Sequence, residues 1–130
     1  MAVVLVQLPK GLQIGEDLYK EAEIRELTAA DIFAAQEEAE RLVFAPNQDG
    51  HIEPQMVTSP ARFGQALLRR QLVRIGQVQA KDISAEVFGR LHSLDLAKLE
   101  SAANDLEQAA MASIKRTSER GRDDEVGAAT

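Results

Sequence analysis

The chain has 130 residues, of which 45% are hydrophobic but only 4% aromatic, with one tyrosine (Tyr19), no tryptophan and no cysteine. One domain with a single aliphatic core is therefore expected, and the lack of thiols excludes a disulfide framework and a thiolate metal site. A net charge of −6 argues against nonspecific nucleic-acid binding, which depends on neutralising phosphates.

The charge is unevenly spread: −7 over residues 1–60, +4 over 61–98 and −3 over 99–130. No apolar run approaches the roughly 20 residues that span a bilayer. The first residues, MAVVLVQLPKG, lack the basic start and small-residue cleavage site of a signal peptide. A soluble, intracellular protein with no membrane partner is expected.

Val3 to Leu8 reads as a strand stopped by Pro9-Lys10-Gly11. Leu12 to Ile14 alternates briefly, Gly15-Glu16-Asp17 turns again, and Leu18 to Leu27 follows. This predicts a hairpin or three-strand meander over 1–27. A lone hairpin is marginal in water, so it must pack on a helix or pair with another chain. Its free edge makes a homo-oligomer contact an expectation alongside the simpler one, a sheet covered by its own helices.

Thr28-Ala29-Ala30-Asp31 has the form of a capping box, with Leu27 and Ile32 at the two staple positions. The helix it starts is expected to run to Phe44, burying Ile32, Phe33, Ala35, Ala39, Leu42 and Val43 and exposing Glu37, Glu38 and Glu40. Residues 45–58 (APNQDGHIEPQMVT) read as a long loop. Asp49, His51 and Glu53 alternate there, but the spacing does not complete a calcium loop, and no metal is expected.

Ser59 caps and Pro60 opens a central helix to Ile75, with Gly76 closing it in the left-handed conformation. Phe63, Leu67, Leu68, Leu72 and Ile75 form its apolar stripe. Arg62, Arg69, Arg70 and Arg74 lie on the other side. They are the candidate partner-binding residues; the alternative is a solvated face paired with Glu37, Glu38 and Glu40. Ser84 caps a short helix to Leu91, and Ser93 is placed to cap the last one. That helix, 94–115, carries the seam Leu96, Leu99, Ala103, Leu106, Ala110 and Ile114. Residues 117–130 have little to bury and are expected to form a flexible charged tail.

The expected fold is therefore α+β but mostly α: a small N-terminal β-hairpin or meander (1–27) packed on about four helices (28–116). No phosphate-binding glycine loop, nucleophile elbow or zinc-spaced cluster is present, and His51 and His92 stand apart. No catalytic residue, cofactor or enzymatic activity is expected. The helix–turn–helix look of Arg69 to Leu91 leaves a DNA-binding regulator as the alternative. However, its reader helix would offer only Arg90 and His92, at the wrong end for base contacts.

Three segments in order carry a family resemblance: AEIRELTAADIFAAQ (Ala22 to Gln36), QALLRRQLVRIG (Gln65 to Gly76) and SAEVFGRLHSLDLAKLESA (Ser84 to Ala102). Together they resemble the tail assembly chaperones of long-tailed phages of the Mu-like contractile-tail group. Leu27 stands where a proline often precedes the helix cap in that family. The resemblance implies a non-catalytic, phage- or prophage-encoded protein acting in the host bacterial cytoplasm. It would bind the tape measure protein and keep it soluble while the tail tube assembles, and be absent from the mature virion. It also implies that a frameshifted longer form can recruit tail tube protein. A structural tail or virion component is a further alternative.

Overall fold

A computed structural model describes residues 2–129, with side chains through Arg116. The tail expected to be flexible over 117–130 lies outside the described side chains. Six strands and four helices follow in the order β1 (Val3–Ile14), β2 (Asp17–Arg25), α1 (Ala29–Ala39), β3 (Glu40–Pro46), β4 (Ile52–Thr58), α2 (Pro60–Gln71), β5 (Leu72–Ile75), β6 (Val78–Gln79), a 3-10 turn at Ala80–Asp82, α3 (Ala85–Phe88) and α4 (Ser93–Ala129). A four-stranded antiparallel sheet has the order β1-β2-β5-β6, and β3 and β4 form a separate two-stranded ribbon.

The fold is α+β, but the expectation of a mostly α protein on four helices is wrong. Three segments account for the correction. Residues 40–44, expected to finish the first helix, are the start of β3. Residues 52–58, expected to be loop, are β4. Residues 72–75, expected to finish the central helix, are β5. β-branched and aromatic side chains gain more on a pleated surface than in a helix, and pairing partners supply the backbone hydrogen bonds that a longer helix would have made. For β5 that partner is β2, in the register Ala22↔Ile75 and Ile24↔Leu72.

The N-terminal hairpin is thus half of a larger sheet. β1 is broken by a bulge between Gln7 and Leu12, where Pro9, Lys10 and Gly11 intervene. One sheet face carries the core: Leu8, Leu12, Ala22, Ile24, Leu72 and Ile75 are buried together with Ile83, Phe88, and Leu99 and Ala103 of α4. The α4 seam does this packing at its N-terminal half, while Ile114 is exposed. Alternation sends Glu21, Glu23 and Arg74 to the opposite sheet face.

The caps explain where each helix begins. Thr28 and Asp31 form the expected capping box on α1, and Ser59 accepts the backbone N–H of Arg62 at α2. Ser84 accepts the N–H of Val87 at α3, a single turn where a helix of 84–91 was expected. Ser93 does not cap α4; His92 does, its Nδ1 accepting from the Leu94 N–H at 3.1 Å. Asp95 in the first turn of α4 is fully buried, and its Oδ1 accepts the Lys10 N–H at 3.0 Å, tying the β1 bulge to the helix. Gly76 is left-handed (φ 59°) as expected, yet it makes the β5–β6 turn rather than a helix end.

Candidate interaction surface

α1 runs without a break into β3, and β4 reaches α2 through Ser59 alone. The two helices pack on each other, with Ala35, Ala39 and Ala66 buried, because only small side chains let two backbones approach closely. The Ser59 N–H donates to the Ala39 carbonyl at 3.0 Å, fixing the point where the helix pair becomes a ribbon.

The base of this unit is anchored to the sheet by charge. Arg25 at the end of β2 holds Asp31 in a bidentate pair, 2.8 and 3.0 Å. The hydrogen bonds from Arg25, with those from the Thr28 N–H and hydroxyl, hold the Asp31 carboxyl well below the usual carboxylate range against the opposing effect of burial. Glu107 of α4 accepts the Leu27 N–H at 3.1 Å and Gln71 Nε2 at 3.5 Å, so α4 clamps the same junction.

At the far end the chain turns over Asn47 to His51. Asn47 Oδ1 accepts the N–H groups of Asp49 and His51, and Gly50 takes φ 82°. The β3–β4 register pairs Leu42↔Met56, Phe44↔Pro54 and Pro46↔Ile52. Cross-strand partners share a face, so these six side chains form one continuous apolar surface. None of it is covered: Leu42 is 59% exposed, Phe44 70%, Ile52 73% and Met56 59%. The opposite ribbon face carries Arg41, Val43, Ala45, Glu53, Gln55 and Val57.

Of the four phenylalanines, Phe44 and Phe33 are exposed. Ile32 and Phe33, expected in the core, thus lie outside it. A second apolar feature is a groove of about 440 Å³ among α2, α3 and α4, lined by Pro60, Gly64, Leu68, Phe88, Leu91 and Leu96.

The four arginines do not share one face. Arg74 sits on β5, where its Nε bonds Glu23 at 3.0 Å and its Nη2 bonds Glu21 at 3.1 Å. These contacts, that to Glu21 first, hold the guanidinium above its ordinary pKa. Arg70 pairs with Glu38 on α1. Arg69 donates to the Ile83 carbonyl at 3.5 Å. Arg62 is exposed and, among the described residues, has no carboxylate within ion-pair distance. The alternative pairing with Glu37, Glu38 and Glu40 is met only at Glu38. Arg62 and Arg69 line a shallow depression of about 220 Å³ beside Glu38.

Among the described residues no three His, Cys, Asp or Glu side chains converge on a metal position, Asp49, His51 and Glu53 included. No described helix is long and apolar enough to cross a membrane.

The fold is an acidic α+β scaffold that displays an uncovered apolar ribbon. Sequence comparison gives it a family: residues 8–122 match the family described as "Tail assembly protein gp41", and the chain belongs to these tail assembly proteins of Mu-like phages. It is 36% identical over 104 residues to "Mu-like prophage FluMu protein gp41" of Haemophilus influenzae, covering 80% of this chain and 78% of the relative. Identity to "Probable tail assembly protein gp41" of Escherichia phage Mu is 35% over 115 residues, 88% of this chain and 74% of that protein. A longer phage Mu relative, "Probable tail assembly protein FS-gp41", is 34% identical over 114 residues but is spanned over only 56% of its length. No solved structure matches significantly.

Proposed function

We propose that this tail assembly protein is a non-catalytic chaperone that binds the tape measure protein and keeps it soluble while the tail tube forms. The observation that carries the reading is the uncovered apolar face of the β3–β4 ribbon on a chain of net charge −6. A holdase must cover apolar surface on its client and keep the complex in solution. An aliphatic face supplies the first property and net charge the second. A client rich in amphipathic helix would meet that face by its apolar stripe.

In this reading the protein works in the host bacterial cytoplasm and is absent from the mature virion. Arg62 and Arg69 are secondary contacts for acidic residues of the client, since among the described residues neither is in an ion pair. Arg70 and Arg74 have their charges engaged within the fold. A longer form, as in the phage Mu relative, would recruit tail tube protein through its added segment.

Co-expression with the tape measure protein of the same phage or prophage tests the proposal. The soluble fraction of the tape measure protein should rise severalfold in the presence of the chain, and the two should co-purify. An insoluble tape measure protein in both conditions, with the chain itself soluble and folded, would rule the chaperone reading out. Sequence-specific gel shifts at physiological salt would instead favour a regulator, although α3 is only one turn long.

A further inference from the structure

The ribbon carries more information about its occupant than its apolarity alone. Among the described residues, the last turn of α1, the ribbon's strands and the turn between them hold four exposed carboxylates outside any ion pair: Glu37, Glu40, Asp49 and, on the opposite ribbon face, Glu53. Against them residues 37–58 place one arginine, Arg41, and one histidine, His51. The apolar face itself contains no charge beyond Glu40 at its base. It is therefore an uncharged strip within a net acidic surround.

We infer that the occupant of the Leu42–Phe44–Ile52–Met56 face is an amphipathic helix of about four turns whose apolar stripe is flanked by lysine and arginine. The inference rests on the chaperone reading and specifies the client segment that reading leaves open. Length comes from geometry. Strands of seven residues at about 3.3 Å each span roughly 23 Å. A helix rising 1.5 Å per residue covers that distance in about 15 residues.

Flanking charge comes from complementarity. Basic groups beside the stripe would meet the carboxylate surround, whereas like charges facing one another are unfavourable. The same surround disfavours a second copy of this chain, which would bring another four carboxylates to the contact. Pairing along the β4 edge is disfavoured too, because Pro54 has no N–H to offer an added strand.

The test uses the full chain and two fluorescein-labelled helical peptides of about 18 residues, long enough to cross the face. Both share one leucine–methionine stripe; one carries Lys and Arg beside it and the other Glu. Fluorescence anisotropy should show the basic peptide binding at least tenfold more tightly, with a preference that shrinks as salt is raised. Phe44→Ser with Ile52→Ser should abolish binding of the basic peptide. Glu40→Gln with Asp49→Asn, at the two ends of the ribbon, leaves Leu42, Phe44, Ile52 and Met56 in place and should reduce the preference at an unchanged melting temperature.

Equal affinity for the two peptides would overturn the proposal. So would undiminished binding by the Phe44→Ser, Ile52→Ser chain, or a dimer in sedimentation that this double change dissolves. Rescue of the tape measure protein by wild type and double variant alike would overturn this inference and leave the chaperone reading standing. No rescue by wild type, with peptide selectivity intact, would do the reverse.

Discussion

Gly76→Ala is expected to lower stability by about 3–4 kcal/mol, through two separable effects. Gly76 makes the β5–β6 turn at φ 59°, and its N–H donates to the Glu21 carbonyl at 2.7 Å, locking the turn against β2. A Cβ there meets the left-handed penalty of about 1–2 kcal/mol. It also lies 2.0 Å from Cδ1 and 2.4 Å from Cγ of Tyr19, so the half-buried ring must leave its place and lose its packing. Gly15 isolates the first effect, since it has φ 65° but nothing within 4 Å of an added Cβ. Gly15→Ala should therefore cost only about 1–2 kcal/mol. Thermal unfolding measures both; Gly76→Ala should lower Tm by roughly 10–15 °C and Gly15→Ala by a third to a half of that. Tyr19 is the only tyrosine and there is no tryptophan, so its fluorescence reports the displacement directly. Equal shifts for the two variants with unchanged tyrosine emission would refute the steric half of the explanation.

The second large effect belongs to Asp31. Asp31→Ala removes the reciprocal half of the capping box and leaves the Arg25 guanidinium, mostly covered, without its bidentate partner. Loss of a cap and of a charge-assisted pair together should cost about 2–4 kcal/mol. Asp31→Asn keeps the shape and part of the cap and should cost less. Because the folded-state pKa of Asp31 is lowered, its contribution is complete above the unfolded value near 4 and is lost as pH falls through the folded value. The stability gap between wild type and Asp31→Asn should thus be constant from about pH 5 to 7 and narrow steadily below about pH 4. Denaturant titrations across that range measure it. A gap that widens on acidification would show that the carboxylate is not held ionised by Arg25.

Both effects arise at places where the sequence was informative about conformation but less so about context. The Thr28–Asp31 capping box is local chemistry, and it appears in the structure as read. Gly76 was legible as a left-handed residue, but whether such a residue ends a helix or turns a hairpin depends on what precedes it. Leu72 to Ile75 satisfies a helical stripe and a short buried strand equally well, and only its pairing with β2, some 50 residues earlier, decides between them. Long-range pairing of this kind leaves no local signature.

The ribbon was missed for a different reason. Its signal was present: Asp49-Gly50 between apolar runs is a strong hairpin marker, and Leu42, Phe44 and Pro46 alternate with period two. Two features hid it. The capping box launched a helix with no glycine or proline to stop it before Pro46, and Pro54 argued against a strand that is tolerated here because both strands are edges. A single helix to Ile75 would place the four arginines on one face. Splitting that helix at Gln71 moved Arg74 to the sheet and beside Glu21 and Glu23.

The most direct test of the central claim is amide hydrogen exchange of the chain, alone and in the presence of the tape measure protein. A two-stranded ribbon with an uncovered face is marginal by itself, so residues 40–58 should exchange much faster than β1 and β2 in the free chain. With the tape measure protein bound, protection should rise across 40–46 and 52–58 and stay unchanged on the opposite face of the sheet at Glu21, Glu23 and Arg74. Ribbon exchange that is the same with and without the tape measure protein, or protection that appears only elsewhere, would contradict the assignment of this face as the client-binding surface.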